Sequence, residues 1–407
     1  MKILYLCHDP IPSPETRTEQ LVRTMAALAP YGIDSTLVVP APLRRGRPED
    51  RKAEIRQFYG LPADSAFPAE ILEIVPWRGL GKRLMPVAHD LRAVRRAHSL
   101  SHDLLYTRDE IAMMLAVRSG LPTIFETYRA DLNLLKRSWP LRRLSYSSPN
   151  LLGVVAHSRY ARKSFLGAGL EPERVHLGYN GFDPRAVEPS LSQATARARL
   201  GLPDASTIVV YAGHVDARKG TSILLPIAAR LPEVLFLVVG AVPGSCGERE
   251  LTRHMQQLGV RNVQVVRWVS PPEVPAFVYD ADCAIIPPTS APLHRHRRTV
   301  LPMKTFTYMA CGRPILAPDL PDVRELLTDD RNAVLVRPDR PDEAAEALRL
   351  LLHSPERASR LAGQAIADSK RYTWTARAEE LAAFLRERLR GRRRGVGETE
   401  GVRARFW

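Results

Sequence analysis

Acidic residues are scarce in this chain: 44 Asp and Glu stand against 59 Lys and Arg, leaving a formal net charge of +15 over 407 residues. Such a surface favours anionic partners, among them phosphorylated substrates and acidic lipid headgroups. Cysteine is also sparse. Cys7, Cys246, Cys283 and Cys311 are scattered without the close pairing of a zinc site or a disulfide framework, and they read as reduced, structural thiols. No run approaches the ~20 apolar residues that span a bilayer. The opening run Met1–Leu6 meets His8 and Asp9 at once, too short for the apolar region of a secretory signal, so a cytoplasmic protein is expected. Aromatics make up 7% of the chain and do not interleave with the Arg clusters. Without that interleaving, charge alone does not point to nucleic acid, and no nucleic-acid partner is expected.

What is present is apolar material and rhythm. With 45% apolar residues, the length suits two domains of roughly 180–200 residues each. Short apolar runs alternate with helical patterns from Lys2 onward: a strand over Lys2–Cys7, a helix near Arg17–Ala29, a strand over Ser35–Val39. The alternation continues to a strand at Val175–Gly178. A polar, turn-rich stretch near Asn180–Ala205 reads as a linker. The rhythm then restarts at Thr207–Ala212 and continues to Ala333–Val336. Continuous apolar strands separated by helices predict parallel sheets covered on both faces, so the fold class is α/β with two doubly wound domains. In such sheets ligands bind at the carboxyl ends of the strands.

Two segments stand out chemically. In Tyr211–Gly220 a strand leads into a turn and then a helix. Gly213 permits close backbone approach, and Lys219 places a positive charge where a helix N-terminus already favours phosphate. The same pattern also suits a plain strand-to-helix turn with a solvated Arg-Lys pair. In Pro302–Pro314, Pro302 opens a helix and Gly312 closes it, which puts Lys304 in the first turn. A cation there opposes the helix dipole and favours a ligand anion over a solvated charge. The basic loop Pro287–Arg298 leaves a strand end just before it, in reach of an anion or an acceptor.

With their order and spacing, these segments resemble family four of the GT-B glycosyltransferases, over Lys2 to about Leu389. The first is similar to that family's Gly-x-x-x-x-x-Lys-Gly phosphate loop and the second to its Pro-x-Lys donor helix. Ala156-His157-Ser158, Tyr179–Asp183 and Tyr372-Thr373-Trp374 are supporting matches. The resemblance implies residues 1–180 as an acceptor-side domain, 181–205 as a linker and 206–372 as the nucleotide-sugar domain. A helix over 373–390 would cross back to the first domain, and 391–407 would be a basic tail. It implies retaining transfer from a nucleotide-diphosphate sugar to a hydroxyl of a glycan, lipid-linked or small-molecule acceptor. No metal or other cofactor is implied, because basic side chains can serve as the electrostatic clamp.

By the same resemblance the donor contacts are Gly213, His214, Arg218, Lys219, Lys304 and Thr307, and the candidate catalytic residues are Arg129 and Lys219. The chain departs from the family's pattern at several of these. His214 stands where many members have Arg, with Arg218 as a neighbouring charge that partly replaces it. Thr307 stands where a Glu would grip the ribose hydroxyls, and Thr299 where the earlier Glu of that pair would be. No Gly-Gly loop follows the first strand, where the chain reads His8–Arg17. After Glu126, Tyr128 and Arg129 occupy the place of an expected His. These losses also suit a different reading, a catalytically impaired subunit that binds a partner and in which Glu126 and Arg129 form a structural pair. Finally, Arg44, Arg45, Arg47, Arg92, Arg95, Arg96, Arg142 and Arg143 all fall in the first half. They predict a face for an anionic membrane or for the acceptor, against the plainer reading of a solvated Arg-rich surface.

Overall fold

The computed structural model describes residues 1–41, 48–63, 65, 67–68, 70–74, 84–129, 140–202, 206–216, 219–291 and 301–403; for Pro48 and 393–403 it describes the backbone only. Arg44, Arg45, Arg47, Arg218, Thr299 and most of the basic loop therefore lie outside the described residues. The chain divides into two compact units, Met1–Tyr179 with Trp374–Trp407, and Asn180–Thr373.

In the first unit the strands are β1 (Lys2–Leu6), β2 (Asp34–Pro40), β3 (Glu70–Ile74), β4 (Leu104–Thr107), β5 (Thr123–Thr127), β6 (Leu151–Ala156) and β7 (Val175–Leu177). Between them run α1 (Thr16–Leu28), α2 (Pro48–Tyr59), α3 (Met85–Ala97), α4 (Glu110–Arg118), α5 (Pro140–Tyr146) and α6 (Arg159–Gly167). The sheet is parallel in the order β3-β2-β1-β4-β5-β6-β7. Its order reverses between β1 and β4, the place in a doubly wound sheet where ligands are expected, beyond the carboxyl ends of the strands. Strands β4, β5 and β6 are buried along their whole length, as a sheet covered on both faces requires.

The second unit begins with α7 (Pro184–Val187) and α8 (Gln193–Leu200). It continues as β8 (Thr207–Ala212), α9 (Leu224–Ala228), β9 (Val234–Ala241), α10 (Cys246–Leu258), β10 (Val263–Arg267), α11 (Val274–Asp280) and β11 (Cys283–Ile285). Then come α12 (Lys304–Cys311), β12 (Ile315–Pro318), β13 (Val334–Val336), α13 (Pro341–Leu352) and α14 (Pro355–Ser369). This sheet is also parallel, in the order β10-β9-β8-β11-β12-β13, and its reversal falls between β8 and β11. The expected fold class is what the chain adopts.

Two stretches carry more regular structure than their sequence reading assigned. The stretch read as a polar linker contains α8. Its buried Arg197 pairs with Asp280 at 3.2 Å and with Asp282 at 3.0 Å, so its polarity serves a tertiary contact rather than solvent. The stretch read as a basic tail continues α15 (Trp374–Arg403) as helical backbone to Arg403. The earlier turns of α15 pack Ala378, Leu381, Ala382, Leu385 and Leu389 into the core of the first unit. Gly153 on β6 makes room for it, because a Cβ there would lie 2.5 Å from the Phe384 ring. Among the described residues, no helix is long and apolar enough to cross a membrane.

Candidate functional site

In the second unit the reversal point carries the basic side chains. Strand β8 ends at Ala212, whose N–H donates to the Tyr308 hydroxyl at 2.7 Å and so ties α12 to the strand end. Lys304 lies one helical turn before Tyr308. Its ammonium therefore sits over the Tyr211 ring, 3.6 Å from the centroid. Gly213 lies directly against it: its φ is +149°, and a Cβ would stand 2.7 Å from Lys304 Nζ. The Tyr211 hydroxyl donates to the His214 carbonyl at 2.6 Å, pinning the turn that follows. Lys219 is exposed at the end of that turn, where its N–H donates to the Asp216 carbonyl at 2.9 Å.

Lys304 is half-buried. Burial first, and then the charge of Lys219, hold its ammonium well below the usual lysine value. Among the described residues neither Lys219 nor Lys304 has a carboxylate partner. Lys304 thus lies against the Gly213 turn and within the field of Lys219. Thr307, one turn along α12 from Lys304, is half-buried.

Several groups that shape this corner carry no local signal in the sequence. Gly240 (φ +114°) would put a Cβ 2.4 Å from the Gly213 carbonyl, and Gly247 would put one 1.9 Å from that of Val215. Gly220 (φ +71°) packs against Thr289. Thr289 donates to Asp339 at 2.6 Å, and the Ser290 hydroxyl and N–H donate to the same carboxylate. Asp339 itself has a left-handed φ of 62°, and its N–H donates to the Pro288 carbonyl at 2.8 Å. A residue some fifty positions away thus holds the start of the basic loop.

In the first unit the β1–β4 reversal gathers His8, Asp9, Arg17, Asp90 and Asp109. His8 lies 3.4 Å from Asp90 through Nδ1 and 3.3 Å from Asp109 through Nε2. Arg17 joins Asp9 at 2.6 Å and also pairs with Asp109. Burial alone would push His8 down, but the Asp90 hydrogen bond and the Asp109 charge outweigh it and hold the imidazole above its usual value. The ligand atoms of His8, Asp90 and Asp109 lie within 4.8 Å of one another. Both Asp109 oxygens are nevertheless engaged, one by Arg17 and the other by the His8 N–H, so this negative charge is met within the protein.

Beyond β5, Arg129 is exposed and, with Arg108, flanks the Tyr128 ring, each guanidinium 5.8 Å from its centroid. Burial pushes the Tyr128 phenol up, but Arg129, Arg108 and Arg17 outweigh it and hold it below its usual value. The expected Glu126–Arg129 pair is not formed. Glu126 is buried and accepts from Arg377 (2.7 Å), Tyr106 (2.8 Å) and Gln20 (2.9 Å), with His157 at 2.6 Å. Burial would raise its carboxyl, but Arg377 and His157 drive it far below the usual range. Burial pushes His157 down to about 4. Glu126 therefore anchors α15, with Arg377 also donating to the Gly178 and Tyr179 carbonyls.

The basic face read from the first half is smaller than expected. Arg142 is neutralised by Glu110 at 2.5 and 2.9 Å, and Arg92 is half-buried with contacts of its own. Arg95, Arg96 and Arg143 are exposed.

Two family models match this chain, Glycosyltransferase Family 4 over residues 15–186 and Glycosyl transferases group 1 over 192–368. Among curated proteins it is similar to a D-inositol 3-phosphate glycosyltransferase of Segniliparus rotundus, 28% identical over 314 residues (72% of this chain, 67% of that one). It is also similar to D-inositol 3-phosphate glycosyltransferase 1 of Catenulispora acidiphila, 29% identical over 236 residues (55% and 54%). The matches to these two span between about half and two thirds of the relatives' length. Among solved structures it is similar to Anabaena HepE in complex with UDP and glucose, with a TM-score of 0.72 at 20% identity, covering 95% of this chain and 99% of that one. At that identity the likeness shows the fold alone.

Proposed function

We propose, from the premise that this chain belongs to the family four-like glycosyltransferases of the GT-B fold, that it moves a sugar from a nucleotide-diphosphate sugar to a hydroxyl acceptor with retention at the anomeric carbon. The observation that carries this reading is Lys304 lying against Gly213 at the end of β8, within the field of Lys219, with no carboxylate partner for either lysine among the described residues. A diphosphate would supply the missing negative charge. HepE, which shares the fold, binds UDP, and a uridine nucleotide is the first to test. His214, Arg218 and Thr307 complete the proposed donor contacts.

In the transfer, the bond from the anomeric carbon to the diphosphate oxygen breaks, the acceptor oxygen bonds on the same face, and the departing phosphate takes the acceptor proton. Lys219 and Lys304 stabilise the charge that accumulates on that phosphate. By the family resemblance, Arg129 of the first unit is a further candidate catalytic cation. Within the first unit, Arg108 and Arg129 beside Tyr128 suit an acceptor that carries an anionic group, as the relatives named for D-inositol 3-phosphate do.

The test is a panel of nucleotide sugars against the purified protein, reading thermal shift, nucleotide release with an acceptor pool, and the anomeric configuration of the product. Stabilisation by one nucleotide sugar, release that depends on acceptor, and loss of both in Lys219→Ala and Lys304→Ala are expected. No shift with any nucleotide diphosphate refutes the donor site. Binding without release by any acceptor favours the impaired-subunit reading, which the replacement of the ribose-binding Glu by Thr307 motivates.

A further inference from the structure

The segment that follows β1 is held by side chains. Residues 8–15 include Pro10, Pro12 and Pro14, and proline has no N–H to give to a backbone ladder. The backbone N–H groups of His8, Ser13 and Glu15 donate to the Asp109 carboxylate (3.0 Å), the Tyr59 hydroxyl (3.0 Å) and the Ser13 hydroxyl (3.3 Å). Ile11 is buried in the core between them. Tyr59 of α2 thus fixes the far end of the segment, and its near end depends on His8 and the groups around it.

At that near end one imidazole joins three elements. His8 Nδ1 lies 3.4 Å from Asp90 of α3, and Nε2 lies 3.3 Å from Asp109, the residue before α4. The two carboxylates are 1% and 2% exposed, so neither can turn to water instead. A neutral imidazole donates from one nitrogen and turns a lone pair outward from the other. One aspartate would then face that lone pair, and only the imidazolium satisfies both. Burial opposes the proton on His8, but the two aspartates outweigh it, and the same hydrogen bond lowers Asp90 against its own burial. A single metal ion could take the place of one of these protons but not of both, because the ring stands between the carboxylates. Other charged and titratable groups pack around the ring. His89 of α3 is buried with Nδ1 3.5 Å from Asp90. Arg17 of α1 bonds to Asp9 and Asp109, and Arg108 donates to the Arg17 carbonyl at 3.0 Å. Cys7 is buried beside them, and Glu15 is exposed. Arg17 and Arg108 also act on Tyr128, so this network is continuous with the proposed acceptor contacts.

We propose that His8 is a positioning residue for the acceptor half of the site: as the imidazolium it latches the segment after β1 to α3 and α4, and loss of its proton frees the near end of that segment. Arg17 then loses the fixed position of its partner Asp9, and acceptor binding weakens as pH rises. That the latched end of the sheet receives the acceptor rests on the transferase reading; the latch is tested without substrate. His8 is raised in the fold, so its contribution to stability is complete below the unfolded value of 6.5 and disappears as pH rises through the folded value.

NMR of the full-length protein with carbon-13-labelled histidine follows each imidazole, and His8→Gln assigns the His8 signal. Amide hydrogen exchange follows residues 8–15. In wild type His8 should titrate above 6.5. Protection of residues 8–15, corrected for the intrinsic pH dependence of exchange, should fall ~tenfold through the same midpoint, as for one charge-assisted hydrogen bond. His8→Gln should show the lower protection at every pH, and His8→Lys, which keeps its charge, should hold the protection at alkaline pH. Asp90→Asn should bring the His8 midpoint down, a check that does not require His8 to be replaced. In the nucleotide-sugar assay the acceptor KM should rise through that midpoint in wild type and stay flat in His8→Lys. UDP should shift His8→Gln as it shifts wild type; no UDP shift in either protein sinks the transferase reading and leaves the latch standing. A His8 midpoint at or below 6.5 overturns the proposal, as does alkaline loosening that survives in His8→Gln or follows the His89 signal. A flat wild-type KM overturns the acceptor role. Stabilisation by Mn2+ or Zn2+ that Asp90→Asn abolishes would make the cluster a metal site and overturn the latch.

Discussion

Lys304→Met separates the stability of the second unit from its proposed binding role. Methionine keeps an apolar, polarisable contact with the Tyr211 ring, worth ~0.3–1.5 kcal/mol, in place of a cation–π contact of similar size. What it removes is a half-buried charge beside Lys219. In the unfolded chain Lys304 titrates near 10.5, and in the fold it gives up its proton at lower pH. Between the two values the unfolded state binds more protons, so wild-type stability rises with pH there, and below that window the fold carries the whole unfavourable charge. Without nucleotide the variant should therefore be more stable at neutral pH, by on the order of 1 kcal/mol or a Tm increase of ~2–4 °C, and the advantage should shrink as pH rises towards 10.5. With UDP the sign reverses. Loss of one charge-assisted contact costs ~1.5–3 kcal/mol, which is ~10–150-fold in Kd. Differential scanning fluorimetry with and without UDP, across pH, reads both effects. Wild-type UDP affinity in Lys304→Met, or lower stability without ligand, would refute the reasoning.

Gly247→Ala places a Cβ against the Val215 carbonyl; it should cost ~1–3 kcal/mol and weaken UDP binding, and unchanged affinity would show that the register of the Gly213 turn does not matter. Thr307→Glu should tighten UDP binding by up to ~tenfold, the difference between a charged and a neutral hydrogen bond, whereas looser binding would place the ribose contact elsewhere. His157 is held at about 4 in the fold against 6.5 unfolded, so it subtracts stability as pH falls from 6.5 through 4. His157→Gln should flatten urea-denaturation stability across that window, and an unchanged slope would assign acid sensitivity to other groups.

The alternation of apolar runs with amphipathic stretches determined two doubly wound sheets, because a strand buried on both faces must be continuously apolar and its connection must be a helix. Lys219 and Lys304 were legible for a similar reason: a lysine after a glycine turn, or in the first turn of a helix after Pro302, is electrostatically out of place without an anion. Tertiary structure decided whatever depends on partners distant in sequence. Arg197 makes a helix of a stretch whose polarity read as linker, because its partners Asp280 and Asp282 lie more than eighty residues away. Glu126 meets Arg377 rather than Arg129, since α15 returns to the strand end. Gly240 and Gly247 matter through backbone atoms of other segments, which leave no mark on their own neighbourhoods in the sequence. Strand order, which places His8 beside Asp109 and Tyr211 beneath Lys304, follows from long-range pairing, and local pattern specifies the elements without specifying their neighbours.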